Sequence, residues 1–221
     1  MTLRSLTITP ELHRYLVDHS TPADQIARDL IEETYQKIPD QAGMQVAPEQ
    51  AGFLTLITKI IGARHAVEVG TFTGYSSLAI ARGLAEDGHL LCCDVSEEWT
   101  SIGRPHWKRA GVADRITLRI APALETLRAL PAEPYLDLTF IDADKPGYVS
   151  YWDEIVPRTR PGGVILVDNV LWSGRVVEQP DQQPDTLLQA IRDFNEHAAA
   201  DKRVELVMLP IADGLTMARR L

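Results

Sequence analysis

Cysteine is almost missing from this chain: Cys92 and Cys93 are the only two, and they are adjacent. Neighbouring strand residues point to opposite faces, so the pair excludes a disulfide framework. Within an apolar run, the two read as small buried residues rather than a redox or zinc pair. Histidine is sparse too, and the 6 residues show no pair at i, i+3 or i+4, which leaves no support for an imidazole metal site. Basic residues are in deficit, with 22 Lys and Arg against 31 Asp and Glu and a formal charge of −9. That balance counts against nucleic acid or an anionic membrane as partner and favours small molecules. No apolar run approaches bilayer length, and Met1-Thr-Leu-Arg-Ser-Leu-Thr-Ile-Thr-Pro10 has no long apolar stretch before a cleavage site. A cytoplasmic location is expected. Aromatic residues are only 6%, yet 45% of the 221 residues are hydrophobic, enough for one full-sized core, and nothing looks fibrous, repetitive or disordered.

What is present is a regular alternation. Residues 10–38 carry helical periodicity punctuated at Thr21-Pro22, residues 41–50 read as a loop, and a helix is predicted over 48–61 with Phe53, Leu54, Ile57, Ile60 and Ile61 on its apolar face. From His65 onward, strands near 65–70, 89–95, 115–120, 136–142 and 163–168 alternate with helices near 73–86, 97–110, 122–130 and 147–157. This predicts an α/β fold with a parallel, doubly wound sheet. After a further helix near 184–199, two extended runs, 204–209 and 214–220, are joined by Pro210-Ile-Ala-Asp-Gly214, a connection short enough only for a hairpin. The last strand is therefore antiparallel.

The chain is organised around His65-Ala-Val-Glu-Val-Gly-Thr-Phe-Thr-Gly-Tyr-Ser-Ser77, read as first strand, tight turn and first helix. Gly70 and Gly74 remove side chains where the backbone turns and approaches a ligand, and the helix after them would aim free N–H groups, with the Ser76 hydroxyl, at that ligand. The order differs from G-x-G-x-x-G because Phe72 stands where the second glycine would admit a pyrophosphate, which argues against NAD. A phosphate-cradling Lys-Ser/Thr ending is missing as well, so ATP is disfavoured. Taken alone, the turn is equally compatible with no ligand.

The second strand ends at Asp94, 24 residues after Gly70, where a carboxylate can accept hydrogen bonds from both hydroxyls of a ribose. The competing role is a helix cap shared with Ser96. The fourth and fifth strands end Leu138-Thr-Phe-Ile-Asp-Ala-Asp-Lys145 and Val164-Ile-Leu-Val-Asp-Asn169. If they are neighbours, Asp142, Asp168 and Asn169 converge at the carboxyl edge, where an all-oxygen set suits a hard ion such as Mg²⁺ or Ca²⁺; singly, each acid reads as a cap or loop polar group. Lys145 is either a base whose pKa a nearby cation depresses or a solvated surface lysine.

The segments Glu68-Val-Gly-Thr-Phe-Thr-Gly-Tyr-Ser76, Phe140-Ile-Asp-Ala-Asp-Lys-Pro-Gly-Tyr148 and Gly162-Gly-Val-Ile-Leu-Val-Asp-Asn-Val-Leu-Trp-Ser-Gly174 resemble the S-adenosylmethionine-dependent, metal-dependent O-methyltransferases of the caffeoyl-CoA and catechol type, here as a bacterial member. The resemblance runs from about Met44 to the C-terminus. It implies a Rossmann-like class I methyltransferase fold with a seven-stranded, mostly parallel sheet, a methyltransferase domain over 63–221 and, within the same domain, a helical extension over 1–62. It further implies Asp142, Asp168 and Asn169 as ligands of a divalent cation, Mg²⁺ first with Ca²⁺ or Mn²⁺ as alternatives, and Lys145 as base. For the cofactor S-adenosylmethionine it implies Glu68, Gly70 and Ser76 around the methionine part, Asp94 on the ribose and Ala123 near the adenine. Asp142 also faces the amino group, and Met44 closes over cofactor and acceptor. Val46 departs from the hydroxyl residue common in the plant enzymes, so the acceptor stays open.

The implied reaction is methyl transfer to a catechol-type hydroxyl of a small catechol, a caffeoyl ester or CoA thioester, or a catechol natural product, with Lys145 taking the proton. A homodimer built partly from the N-terminal helices is expected, with no nucleic-acid or membrane partner. The acceptor is expected among Met44, Lys145, Asn169 and Trp172, the last opening the long loop Trp172 to Asp185. Competing readings are a nucleotide-dependent dehydrogenase, opposed by Phe72 and the terminal hairpin; an inactive cofactor-binding protein, opposed by the Asp142, Lys145, Asp168 and Asn169 set; and a nucleic-acid methyltransferase subunit, opposed by the charge.

Overall fold

The computed structural model describes residues 6–178 and 185–221. Three helices come first, α1 (Pro10–Asp18), α2 (Gln25–Lys37) and α3 (Pro48–Ile60), with a short 3₁₀ turn, Ala42–Met44, in the segment expected to be a loop. The alternating region follows: β1 (His65–Val69), α4 (Tyr75–Gly83), β2 (His89–Asp94), α5 (Glu97–Arg109), β3 (Ile116–Ile120), α6 (Ala123–Arg128), β4 (Leu136–Ile141), α7 (Tyr148–Ile155) and β5 (Thr159–Asp168). Last come α8 (Thr186–Ala200), β6 (Val204–Leu209) and β7 (Leu215–Arg220).

The strands form one 7-stranded sheet in the order β3-β2-β1-β4-β5-β7-β6, with β7 antiparallel to both its neighbours. The order reverses between β1 and β4, and the crevice outside the carboxyl ends at such a switch point is where α/β sheets bind ligands. Strand alternation sorts the core into two layers. Ala66, Cys92, Leu138 and Phe140 face α4 and the N-terminal helices, joined by Leu30 and Leu54, while Val67, Val69, Ile141 and Ile165 face α7 and α8 with Tyr148, Trp152 and Phe194. Helix α4 is apolar nearly all round and is correspondingly buried along its length. Both cysteine thiols are buried and unpaired, and burial raises Cys93 to about 12, leaving an inert thiol.

Of the boundaries that differ from the sequence reading, two have a clear local reason. Helix α4 starts at Tyr75 because Gly74 lies in the left-handed region at φ 84° and ends the turn before the helix begins. Strand β5 begins at Thr159 rather than 163, because a bulge between Leu136 and Leu138 lets Pro161-Gly162-Gly163 continue in the strand, where those residues signal a turn. No helix among the described residues is long and apolar enough to cross a membrane. In the long loop, Trp172–Val177 forms 3₁₀ turns kinked at Ser173 and Gly174; residues 179–184 lie outside the described residues.

Candidate active site

A cavity of about 750 Å³ opens over the switch point. The turn after β1 forms its floor. The Gly70 N–H donates to the Cys93 carbonyl at 2.9 Å, and the Asp142 N–H donates to the Val69 carbonyl at 2.8 Å, so the ends of β1, β2 and β4 are tied together. A Cβ on Gly70, whose φ is +93°, would lie 2.6 Å from the Asp142 carbonyl carbon, so only glycine fits. A Cβ on Gly74 would meet the Trp107 indole, whose Nε1 donates to the Gly74 carbonyl at 3.0 Å. Behind the turn, the Thr34 hydroxyl of α2 donates to Thr73 Oγ1 at 2.9 Å, bracing the turn from the N-terminal helices.

Asp94 does more than the sequence reading assigns to it. Its Oδ2 accepts from the Thr71 and Phe72 N–H groups at 2.9 and 2.8 Å, and its Oδ1 accepts from the Ser96 N–H at 2.8 Å. The carboxylate therefore holds the turn, including Phe72 at φ 50°, while still lining the cavity; Ser96, not Asp94, caps α5. Phe72 meets Trp99 edge to face at 5.4 Å, and Val95, Ala121 and Ala123 complete an apolar end suited to a flat heterocycle.

At the other end, β4 and β5 are parallel neighbours with Ile141 opposite Val167, so Asp142 and Asp168 emerge side by side, as their placement at strand ends requires. Lys145 Nζ donates to Asp142 Oδ1 at 3.1 Å, to Asn169 Oδ1 at 2.6 Å and to the Tyr148 hydroxyl at 2.6 Å. Asp168 is buried, and burial together with the Asp142 charge pushes it up to about 7. Asn169 adopts φ 58°, a conformation asparagine tolerates, and its N–H donates to Asp168 Oδ1 at 2.7 Å. Asp94 and Asp168 end strands three spacings apart, so the two ends are separated by roughly 14 Å, the span of an elongated nucleoside-like ligand.

Met44, Gly70, Ser76, Asp94, Ala123, Asp142, Lys145, Asp168, Asn169 and Trp172 all line this cavity; Glu68 does not. Its side chain is fully buried on the α4 face, accepts from the Ser77 hydroxyl, and leaves Oε1 without a hydrogen-bond partner. Burial pushes it up to about 7. Strand alternation explains the placement, since Glu68 sits in register with Cys92 and points with it away from Val67 and Val69. Among the lining residues to which the sequence reading gives no role are Asp144, Tyr151 and Gln50. Asp144 accepts from the Tyr151 hydroxyl at 2.5 Å, and both face the cavity. Gln50 lies buried beside Asp168, with Nε2 lacking a partner of good geometry. The signal for Gln50 is its amide one turn before Leu54, on the apolar stripe of α3. Among the described residues, no three His, Cys, Asp or Glu side chains gather as a metal cluster, because the third oxygen beside Asp142 and Asp168 belongs to an amide.

Residues 17–221 match the profile of a family described as O-methyltransferase. A probable caffeoyl-CoA O-methyltransferase 1 of Dictyostelium discoideum is 39% identical over 210 residues, covering 94% of this chain and 90% of that protein. The crystal structure of an O-methyltransferase from Bacillus cereus in complex with SAH superposes with a TM-score of 0.85 at 33% identity, covering 96% of this chain and 97% of that one. The O-methyltransferase TomG from Streptomyces achromogenes, in complex with SAM, gives 0.84 at 28% identity over 95% and 96% of the two chains.

Proposed function

From the premise that the chain belongs to the O-methyltransferase family, and is an S-adenosylmethionine-dependent enzyme that methylates a hydroxyl, we propose that its acceptor is a catechol-type phenol. In this reading Asp142, Asp168 and Asn169 hold a divalent cation and Lys145 is the base. The observation that carries it is the convergence of Asp142 Oδ1 and Asn169 Oδ1 on one positive charge, Lys145 Nζ, at 3.1 and 2.6 Å beside a second buried carboxylate. Asp142, Asp168 and Asn169 form an acidic, all-oxygen donor set that fits a hard ion such as Mg²⁺, with Ca²⁺ or Mn²⁺ as alternatives. When bound, the cation supplies positive charge that lowers the pKa of the acceptor hydroxyl. Relatives bearing the name caffeoyl-CoA O-methyltransferase support an acceptor among small catechols, caffeoyl esters and CoA thioesters, and catechol natural products.

Within this assignment, the Gly70 turn and Ser76 hold the methionine part of the cofactor, Asp94 the ribose and Ala123 the adenine face, while Asp142 faces the amino group. Glu68 acts from beneath, through Ser77 and the first turn of α4. Met44, half-exposed at the cavity rim, and Trp172 flank the acceptor. A cation held beside Lys145 would favour it as the neutral amine, and that Nζ takes the proton from the acceptor hydroxyl and leaves the oxygen as the nucleophile toward the methyl donor. The rest is positioning by a rigid sheet edge. We further propose a cytoplasmic homodimer in which residues 1–62 extend the same domain. The second copy would cover α1, which buries no residue in the single chain and presents Tyr15 and Leu16 to solvent; sedimentation at micromolar concentration should give twice the 24.6 kDa chain mass.

The test is a screen of catechols, caffeoyl esters and CoA thioesters with labelled S-adenosylmethionine, before and after chelation. Turnover should vanish on removal of the cation and return with Mg²⁺. Full activity in a verified metal-free sample, or methylation only of isolated hydroxyls, would overturn the assignment.

A further inference from the structure

The segment Asp142-Ala-Asp-Lys145-Pro-Gly-Tyr148 leaves one polar group without a role. Tyr148, the first residue of α7, is fully buried, does not line the cavity, and places its hydroxyl 2.6 Å from Lys145 Nζ. The same hydroxyl donates to the Asp168 backbone carbonyl at 3.2 Å, so its proton is committed to that carbonyl and an oxygen lone pair is left for the lysine. The ring cannot swing away. Phe194 of α8 packs on it edge to face at 5.5 Å and 86°, within the layer that also holds Trp152.

We propose that Tyr148 is the positioning residue for Lys145, fixing the Nζ that receives the acceptor proton. Lys145 Nζ has three hydrogen-bond partners: Asp142 Oδ1, Asn169 Oδ1 and the Tyr148 hydroxyl. This inference rests on the assignment above, in which the first two are oxygens that serve the cation. Their lone pairs are then drawn toward a competing positive charge. Tyr148 is the partner whose oxygen has no part in the cation set, so it keeps its contact with Nζ throughout the cycle. A backbone carbonyl orients it from one side and a buried aromatic layer from the other. When Nζ receives the proton, the resulting ammonium has the tyrosine oxygen as a fixed acceptor. No charge is consumed or created at Tyr148. Tyr148→Phe keeps the ring within its aromatic layer and removes the hydroxyl alone.

The experiment is a double-mutant cycle of Tyr148→Phe and Lys145→Ala, read as kcat, KM for both substrates, cation and cofactor affinity by calorimetry, and Tm. For Tyr148→Phe, kcat should fall by about 10- to 100-fold, what a hydrogen bond to a charged group is worth. Both KM values, both affinities and Tm should stay near those of the parent, and in the Lys145→Ala background the same change should cost nothing further. A parent-like kcat, or an equal loss in both backgrounds, overturns the inference while leaving the base assignment standing if Lys145→Ala itself is inactive. A fully active Lys145→Ala overturns both, at the level of the base. Should Tyr148→Phe not fold, 3-fluorotyrosine at position 148 keeps the ring and weakens the oxygen as acceptor; a few-fold loss of kcat that disappears in Lys145→Ala supports the inference, and an unchanged kcat overturns it.

Discussion

The two ends of the cavity are built on different principles. At the β1–β2 end the work is done by backbone: N–H groups of the Gly70 turn converge on one carboxylate oxygen of Asp94, the turn is braced from behind by Thr34 and Trp107, and the lining is apolar. At the β4–β5 end it is done by side-chain charge. Lys145 Nζ bridges the Asp142 carboxylate and the Asn169 amide oxygen, and the neighbouring carboxylate, Asp168, is pushed up to about 7 by burial beside Asp142. A backbone-built end is fixed before any ligand arrives and sets affinity. A charge-built end changes with whatever cation or proton enters it and sets turnover. Non-glycine residues with positive φ fall at both ends, Phe72 at one and Asn169 and Trp172 at the other, so local strain marks the whole cavity rim.

If that division holds, substitutions at the two ends should separate kcat from cofactor affinity. The largest effect belongs to Lys145→Ala, which removes the proposed base: kcat should drop by about 10²- to 10⁴-fold while the S-adenosylmethionine dissociation constant stays within about two-fold. Stopped-flow turnover and calorimetric titration check the two halves of the statement. A weakened cofactor with unchanged kcat would make Lys145 part of the backbone-built end instead.

Beneath the turn, Glu68 gives the comparison a pH test. Its folded-state pKa is raised from 4.5 to about 7, chiefly by burial, so the folded chain holds a proton that the unfolded chain has released between those values. Stability linked to this group is fully present below about pH 4.5, declines as pH rises toward 7 and is flat above, a total on the order of 3 kcal/mol. Glu68→Gln removes the titration, so the stability of the parent relative to the variant, from urea melts of cofactor-free protein, should fall over that window. A constant difference from pH 4 to 8 would show that the Glu68 carboxyl titrates at the same pH in the folded and unfolded chain.

The strand ends, the glycine turn and the antiparallel last strand were legible because their signals are local: β-branched runs, paired glycines, and a connection too short for a crossover. Asp94 was legible as a place but not as a role, because its partners are backbone N–H groups whose direction depends on the turn it helps to hold. Gln50 of α3 reaches the site through a contact with Asp168 at the end of β5, which no spacing within one element encodes. Glu68 illustrates the reverse. Alternation along β1 already places it on the face opposite Val67 and Val69, and it is the family resemblance that sets it around the methionine part of the cofactor.

Asp94→Ala is the next smaller effect. Losing three accepted hydrogen bonds unties Thr71, Phe72 and Ser96, so cofactor affinity should weaken by about 10-fold or more, with a lower Tm and intact cation affinity. Calorimetry with S-adenosylmethionine and with Mg²⁺ decides it: an unchanged cofactor constant would mean that the turn holds its shape without the carboxylate and that no ribose contact exists.

The smallest effect is expected at Trp172, where the charge-built end passes into the loop proposed to flank the acceptor. The indole is part-buried, packed against the Val167 and Val170 layer, and faces the cavity from a residue at φ 46°. Its loop is tied down on the far side. The Ser173 N–H donates to Asp213 Oδ1 at 2.5 Å, and Arg192 of α8 donates to the carbonyls of Arg175 and Val176 at 3.1 Å. The wall is therefore anchored at both ends, and removing the ring should enlarge the pocket without releasing the loop. Trp172→Ala is predicted to raise the acceptor KM by about 3- to 10-fold, the loss of one aromatic contact at a partly open site, or to shift the ratio of the two monomethylated catechol products, with cofactor affinity unchanged. Initial rates across several catechols, with chromatographic separation of the products, supply both numbers. Should neither KM nor product ratio move for any of them, the acceptor does not rest on this wall, and Met44 with the 3₁₀ turn at Ala42–Met44 becomes the surface that selects it.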